Sequence, residues 1–262
     1  MPHPSPPRGA AARASHETAR LLAFDTSTER MAVALVAPHG AWTADEPGGA
    51  LASATLLPCV QALLARAGMA LADLDAIAFG RGPGAFTGLR TSCAVAQGLA
   101  FGLGCPVLPL DSLLIVAEDA RVQLAPQDAA FEVDVAMDAR MDEVYAGRYR
   151  WAEGRWQELA APALYTLEAF AAMAAHGPGA VAGSALAAFG ERLGLAQQRA
   201  RVPTEHERAA ALLRLARAAH AAGEGVDAAL ALPLYLRDKV ALTTREREAV
   251  RAARDAAAEA PR

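Results

Sequence analysis

The chain has 262 residues, a net charge of −4, 53% hydrophobic residues and 21% charged ones. That composition excludes an intrinsically disordered chain, and the length suits one large domain or two small ones. The acidic balance argues against a protein that holds nucleic acid alone, which normally carries a basic footprint.

Lys239 is the single lysine among 25 basic residues, and Val240 follows it, so there is no GK[ST] phosphate loop. The abundance of Ala and Arg reads as high-GC codon usage. Cys59, Cys93 and Cys105 are too few for a disulfide framework or a zinc site and fit a reducing, cytoplasmic setting. None of the 6 histidines forms an HxxxH or HExxH pair. His206 and His220, if on one helix, stand about 21 Å apart, so one metal cannot bridge them. No metal is expected.

Residues 1–19, rich in Pro, Ala and Arg, contain no apolar run and read as a disordered tail or as the product of a misplaced start codon, not a signal peptide. Leu21–Asp25 and Met31–Ala37 read as strands of a hairpin joined by the turn Asp25-Thr26-Ser27-Thr28. Leu51–Arg66 reads as a helix stopped by Gly68, and Ala76–Gly80 as a buried strand. A glycine-rich loop, Gly80–Gly88, leads to a helix over Leu89–Leu103. The uncharged stretch 91–110 raises a membrane span, but its glycines and prolines favour a helix ending at Gly104 and a strand at Pro106–Leu110. Glu132–Met137 and Glu143–Trp151 form a second strand–acidic turn–strand unit around Asp138-Ala139-Arg140-Met141-Asp142. Helices are expected at Leu167–His176, Ala185–Leu193 and Glu205–Ala222, a strand at Ala180–Ala182 and an extended segment at Pro233–Arg237. Residues 244–262 read as a solvated helical tail. The alternation implies an α/β fold with a largely parallel sheet, and the repeated hairpin implies two related lobes. The divisions expected are a tail at 1–19, a first lobe at 20–115, a second at 116–230, a returning segment at 231–245 and a tail at 246–262.

Three segments invite a ligand. The Asp25–Thr28 turn offers amides, hydroxyls and an acid for phosphate or a metal-bound water, or it is a turn that satisfies its own backbone. Gly82, Gly84, Thr87 and Gly88 permit close backbone approach before a helix N-terminus, either to an anion or only to the chain's own packing. Asp138 and Arg140 belong to a second phosphate turn or to an internally ion-paired one. Along the following helix, Ala94, Gly98 and Gly102, and Ala96, Ala100 and Gly104, recur every four residues and let another backbone come close, from a partner or from the protein's own sheet.

Four blocks carry a resemblance: LAFDTSTERMAVAL (Leu22–Leu35), GRGPGAFTGLRTSCAVAQG (Gly80–Gly98), MDARMDEVY (Met137–Tyr145) and PLYLRDKV (Pro233–Val240). Over residues 20 to 242 the chain resembles the TsaB family of tRNA threonylcarbamoyladenosine biosynthesis, and the GRGPGxFTGLR block is its most specific part. The resemblance implies an actin/hexokinase/sugar-kinase-like fold with a reduced second lobe. It implies a non-catalytic subunit that binds the paralogue TsaD, joins TsaE in a larger assembly, self-associates when alone and meets tRNA only indirectly. It places the partner-facing residues on the two first-lobe helices, at Leu56, Val60, Leu63, Leu64, Arg90, Cys93, Ala94, Ala96, Gln97, Gly98 and Phe101. It implies no tightly bound cofactor, with ATP or ADP at a partner junction. Family members often carry a His before the first interface helix; Glu46–Ala50 holds none. The alternatives are a small-molecule kinase or ATPase of the same fold, and a metallopeptidase for which no ligand set exists.

Overall fold

The computed structural model describes residues 19–237 except 176 and 178. The tails expected at 1–19 and 246–262 therefore lie outside the described residues, apart from Ala19, as do the end of the 231–245 segment and His176. β1 (Leu21–Asp25) and β2 (Arg30–Ala37) are almost wholly buried, as their unbroken apolar runs require of strands covered on both faces. They pair antiparallel from Leu21↔Val36 to Asp25↔Ala32, and β3 (Gly40–Pro47) extends the meander. β4 (Ala76–Gly82) joins β1 in parallel, and β5 (Val107–Asp111) joins β4. The order is β3-β2-β1-β4-β5. The second sheet is built from β6 (Ala130–Asp138), β7 (Glu143–Ala152), β8 (Arg155–Thr166), β9 (Ala180–Ala182) and β10 (Ala200–Val202), in the order β8-β7-β6-β9-β10. Read from the first strand of each sheet, the two orders are the same. The chain holds one topological unit twice, as the repeated hairpin implied.

The sheets are mixed, not largely parallel. Short turns join the first three strands of each unit and can produce only antiparallel neighbours; the two parallel strands follow longer helical crossovers. β3, β8 and β10 were not anticipated. β3 is a half-exposed edge, β8 carries Pro162 at an edge position, and β10 has three residues.

The strands' alternation sorts the helices. α1 (Ala52–Ala67) and α2 (Phe86–Leu103) cover the face carrying Leu22, Phe24, Val33, Leu35 and Phe79. α6 (Arg208–Ala222) covers the opposite face, with Leu212, Ala216 and Ala219 against Leu21, Ala23, Ala34 and Val36. α3 (Ser112–Leu124) lies between the sheets, its Leu113, Val116 and Ala120 on Val133, Val135 and Tyr149. α4 (Leu167–Ala174) and α5 (Ala185–Phe189) close the far face of the second sheet. α6 thus belongs to the first lobe, correcting its place in the expected 116–230 unit: α3 already covers the inner face of the second sheet. The alanines at this contact, Ala23, Ala32, Ala34, Ala76 and Ala78 against Ala209 and Ala216, let helix and sheet approach closely. The alanine excess has a packing role whatever its codon origin.

α3 escaped the sequence reading because Glu118, Asp119 and Arg121 are buried on it and blur its apolar stripe. Each has a task. Glu118 accepts from Arg121, Arg214 and the Trp156 indole, tying α6 and β8 to α3. Asp119 accepts from the amides of His206 (3.1 Å) and Glu207 (2.8 Å), fixing the chain just before α6, whose Ala209 amide donates to Asp45. Ala185–Leu193 is α5 followed by a tighter 3₁₀ turn at Gly190–Leu193, where one helix was expected.

Residues 49–67 are long and apolar enough to cross a membrane by length and composition. Leu56, Val60, Leu63 and Leu64 on them are instead buried against the first sheet.

Candidate functional site

The two lobes enclose a cleft of about 750 Å³, lined by both hairpin turns, by Pro83–Phe86 and by Tyr235–Arg237. The turns face each other across it: Arg140 Nη2 stands 3.3 Å from Glu29 Oε1. Both side chains are largely exposed, so this pair contributes little by itself.

The first turn closes on itself. Asp25 is fully buried. Its Oδ1 accepts from the Ser27 amide (2.9 Å), the Ser27 hydroxyl (2.7 Å) and Arg208 Nη2 (3.1 Å); its Oδ2 accepts from the Ser112 hydroxyl (2.6 Å). Burial drives this carboxyl's pKa upward, but the Arg208 charge and the hydrogen bonds from Ser112 and Ser27 outweigh it and hold it below its usual value. Burial would lower the pKa of Arg208, and Glu205 and Asp25 more than reverse that. The other arm of the guanidinium donates to Glu205. Thr26 is spent likewise. Its hydroxyl donates to Gly88 O (2.7 Å), and its amide donates to Ser92 Oγ (3.1 Å). Thr28 Oγ1 donates to Arg30 O within the turn. Of the four residues read as a phosphate turn, three have buried side chains already engaged, and no free carboxylate remains to orient a metal-bound water.

The glycine-rich segment serves the same packing. α2 begins at Phe86, three residues before the expected start, so Thr87 and Gly88 lie in its first turn. A Cβ on Gly88 would stand 1.8 Å from Thr26 O. Gly82 packs against Leu234 and Gly84 against Ser27, and the Ala85 amide donates to Ser27 O at 2.8 Å. The close approach these residues permit is taken up by the chain's own backbone. Thr87 is exposed.

The second turn is an ion-paired one. Asp138 accepts from the Arg140 amide (2.8 Å) and its guanidinium (3.2 Å), and Ser184 Oγ accepts from the Asp138 amide. Arg140, Met141 and Asp142 all have positive φ, at 65°, 58° and 56°. A left-handed non-glycine residue costs roughly 1–2 kcal/mol, so three in succession need outside support. Arg237 supplies it, donating to Ala139 O (3.0 Å) and standing 2.6 Å from Glu143 Oε2.

The residues expected to face a partner divide. Leu56, Val60, Leu63, Leu64, Cys93 and Ala96 are buried under α1 and α2 and cannot form an outer surface, which corrects that assignment. The apolar period marked the face that packs on the protein's own sheet. Gln97 Nε2 and the Cys93 thiol donate to Ala231 O. Arg90, Ala94, Gly98 and Phe101 are exposed, Phe101 at 85%. Exposed Leu51 and Leu57 on the α1 side, and Leu230 and Leu232 flanking Ala231, enlarge the apolar area. Among the described residues, no three His, Cys, Asp or Glu side chains are grouped to hold a metal.

Several groups at the lobe junction were invisible in the sequence, among them Ser92, Ser112, Glu205 and Arg208. So was the pair formed by the Tyr149 hydroxyl and Asp111 Oδ2 at 2.5 Å. Burial pushes the Asp111 carboxyl up to about 6, against smaller lowering by Tyr149, the Leu113 amide and Arg81. A carboxyl raised on folding is stabilising while protonated, and that contribution disappears as pH climbs from its unfolded value through about 6. Stability of the native chain should therefore fall between pH 4 and 6 by on the order of 1–2 kcal/mol more than that of Asp111→Asn. Parallel urea titrations across that range read the difference, and identical slopes would refute it.

Comparison with known proteins follows the same lines. A family model described as TsaD, tRNA N6-adenosine threonylcarbamoyltransferase, matches residues 51–205. The chain is 43% identical over 131 residues to the tRNA threonylcarbamoyladenosine biosynthesis protein TsaB of Haemophilus influenzae, covering 48% of this chain and 51% of that protein. It is 39% identical over 143 residues to TsaB of Escherichia coli, covering 52% and 58%. Two solved structures from Pseudomonas aeruginosa, one of YeaZ and one of an uncharacterized protein with similarity to peptidase YeaZ, superpose with TM-scores of 0.73 and 0.74 at 41% and 43% identity; each match covers 84% of this chain and 100% of the other. Two lobes of one topology about a cleft define a duplicated α/β protein built on two mixed five-stranded sheets. Within that class, the chain belongs to the TsaB (YeaZ) family. Its matches span about half the length of the curated TsaB proteins.

Proposed function

We propose that this chain is a non-catalytic subunit in the synthesis of threonylcarbamoyladenosine in tRNA, acting by docking its α1–α2 face on a TsaD partner. The observation that carries the reading is that large apolar side chains stand exposed on and beside these helices: Phe101 on α2, Leu57 on α1, Leu51 just before it, and Leu230 beside Ala231, whose carbonyl accepts from α2. Large apolar side chains left in water mark candidates for an interaction site. The membrane-grade apolarity of residues 49–67 has the same explanation: one side of α1 covers the sheet, and the other awaits a partner. The names borne by the relatives support the pathway, and the TsaD-type match supports a paralogous partner. Under this reading the chain has no transferase activity alone, self-associates through the same face when TsaD is absent, and meets TsaE and tRNA only within the larger assembly. Any ATP or ADP sits at the junction with the partner. The kinase reading is disfavoured because Asp25 is sealed against Arg208.

The test is light scattering after size-exclusion chromatography of the chain mixed with TsaD from the same organism. A stable complex is expected, and Phe101→Asp should weaken it by at least about thirtyfold, as loss of a central aromatic anchor does. At a chain concentration too low for self-association, its melting temperature alone should match that of the parent, because the ring touches solvent. Undiminished binding by folded Phe101→Asp would remove this face from the interface, and no complex at any concentration would remove the reading.

A further inference from the structure

We propose that Tyr235, Leu236 and Arg237 form a clasp across the two lobes, which holds the 138–143 turn in its left-handed conformation and links that turn to the start of α2. The segment is extended and begins on the first lobe. Its Leu234 amide donates to Arg81 O at 2.7 Å. The Tyr235 ring lies 5.3 Å from that of Phe86, in the first turn of α2, and Arg90 stacks on the other partner, its guanidinium 3.8 Å from the Phe86 centroid. Arg90 Nε reaches the Tyr235 hydroxyl at 3.4 Å.

Two residues later the chain is on the second lobe. Arg237 has only 16% of its side chain exposed. Nη2 donates to Ala139 O at 3.0 Å and lies 3.4 Å from Arg140 O; the same group pairs with Glu143 at 2.6 Å. Those groups bracket Arg140, Met141 and Asp142, the three consecutive left-handed residues. Peptide carbonyls held by one half-buried guanidinium nitrogen from another segment are the kind of outside support such a run requires. Without the segment, the tie between the facing turns would be the exposed Glu29–Arg140 pair. The clasp therefore fixes how the second turn meets the first, while its other end rests on Arg90, a residue of the exposed α2 face. An occupant that shifts Arg90 and Tyr235 acts on the far wall of the cleft through two residues of backbone. The clasp itself is independent of the partner proposed above.

Amide exchange of the full chain tests both ends. The Ala139 amide donates to Glu143 O and the Glu143 amide to Arg140 O, so both report on the turn. Arg237→Ala should speed their exchange at least about tenfold, the loss of charge-assisted hydrogen bonds to two fixed carbonyls, while core amides of β1 and β6 keep their rates. Arg237→Gln, which keeps much of the length and loses the charge, should do the same and serves if the alanine variant does not fold. Tyr235→Ala changes only the first-lobe anchor. A severalfold faster exchange at Ala139 and Glu143 in that variant is the expected sign of linkage. Unchanged turn amides in both Arg237 variants would overturn the clasp. A Tyr235→Ala effect confined to α2 would reduce Arg237 to a local brace and overturn the link. Glu29→Gln should leave the turn amides unaltered; a tenfold change there would assign the support to that pair and again overturn the proposal.

Discussion

Arg208→Met should destabilise the chain by about 3–5 kcal/mol, lowering its melting temperature by roughly 10 °C. The guanidinium is fully buried and pairs with two carboxylates, Asp25 and Glu205. Methionine fills the volume but leaves Asp25 a buried anion without its counter-charge. Removing one partner of a buried pair is what makes the loss large; the intact pair adds little over an apolar substitute. The double variant Arg208→Met/Asp25→Asn should accordingly recover much of the loss, since the amide oxygen still accepts from Ser27, the amide NH2 donates to the Ser112 hydroxyl, and no charge remains at that place. The pH dependence has a definite sign. Asp25 is held below its ordinary value, so its contribution is present above about pH 4 and is lost as the medium is acidified. In Arg208→Met the favourable charge is gone, burial prevails, and that acid-limb slope should shrink or reverse. Calorimetry of the three proteins at pH 7 and pH 4 measures this. A single variant melting within 2 °C of the parent at pH 7 would mean that the ion pair is not what closes the first turn.

The elements that were legible from sequence are those whose residues speak locally. β1, β2, β4, β5 and β9 are short apolar runs between turn residues, and α1 ends at Gly68 with φ of 63°, as its sequence demands. What escaped depends on tertiary partners. Glu118 and Asp119 read as solvent-facing until Arg214, Trp156 and the start of α6 are brought to them. Asp25 meets Ser112 across 87 residues and Arg208 across 183, separations no local motif spans. The acidic turns were legible as turns, and their closed state was not, because the groups that engage the first come from α2, α3 and α6, and those that engage the second include Ser184 and Arg237. On the interface the helices were legible and the faces were not. A helical period of Leu56, Val60 and Leu63 shows that one face is apolar, and only the sheet beneath shows which side is already covered.

Gly80→Ala and Gly88→Ala should each cost about 3–5 kcal/mol or prevent folding, although a single methyl group is added. Overpacking alone typically costs 1–3 kcal/mol, and disrupting buried hydrogen bonds to a charge adds a similar amount. A Cβ on Gly80 would stand 1.6 Å from Asp25 Oδ2, the oxygen that Ser112 holds at 2.6 Å. The carboxyl cannot swing aside without abandoning Ser112 and Arg208 together. On Gly88 the obstacle is Thr26 O at 1.8 Å, which is backbone, so α2 must part from the first turn and break the Thr26–Ser92 contacts. Gly98, ten residues along the same helix, has nothing within 4 Å of its would-be Cβ. Gly98→Ala in the isolated chain should therefore stabilise by about 0.5–1 kcal/mol, since alanine loses less backbone entropy in a helix. The contrast separates two uses of small residues on α2. Those at the start of the helix admit the chain's own backbone, and their enlargement is felt in the monomer. Gly98 faces outward, and under the docking reading its enlargement is felt only when that face is occupied, by TsaD or by a second copy, as weaker association by a more stable subunit. Urea melts of the three variants, with titration of folded Gly98→Ala against TsaD, measure both. A Gly98→Ala chain that is destabilised alone would place that residue in the protein's own packing and withdraw it from the partner face.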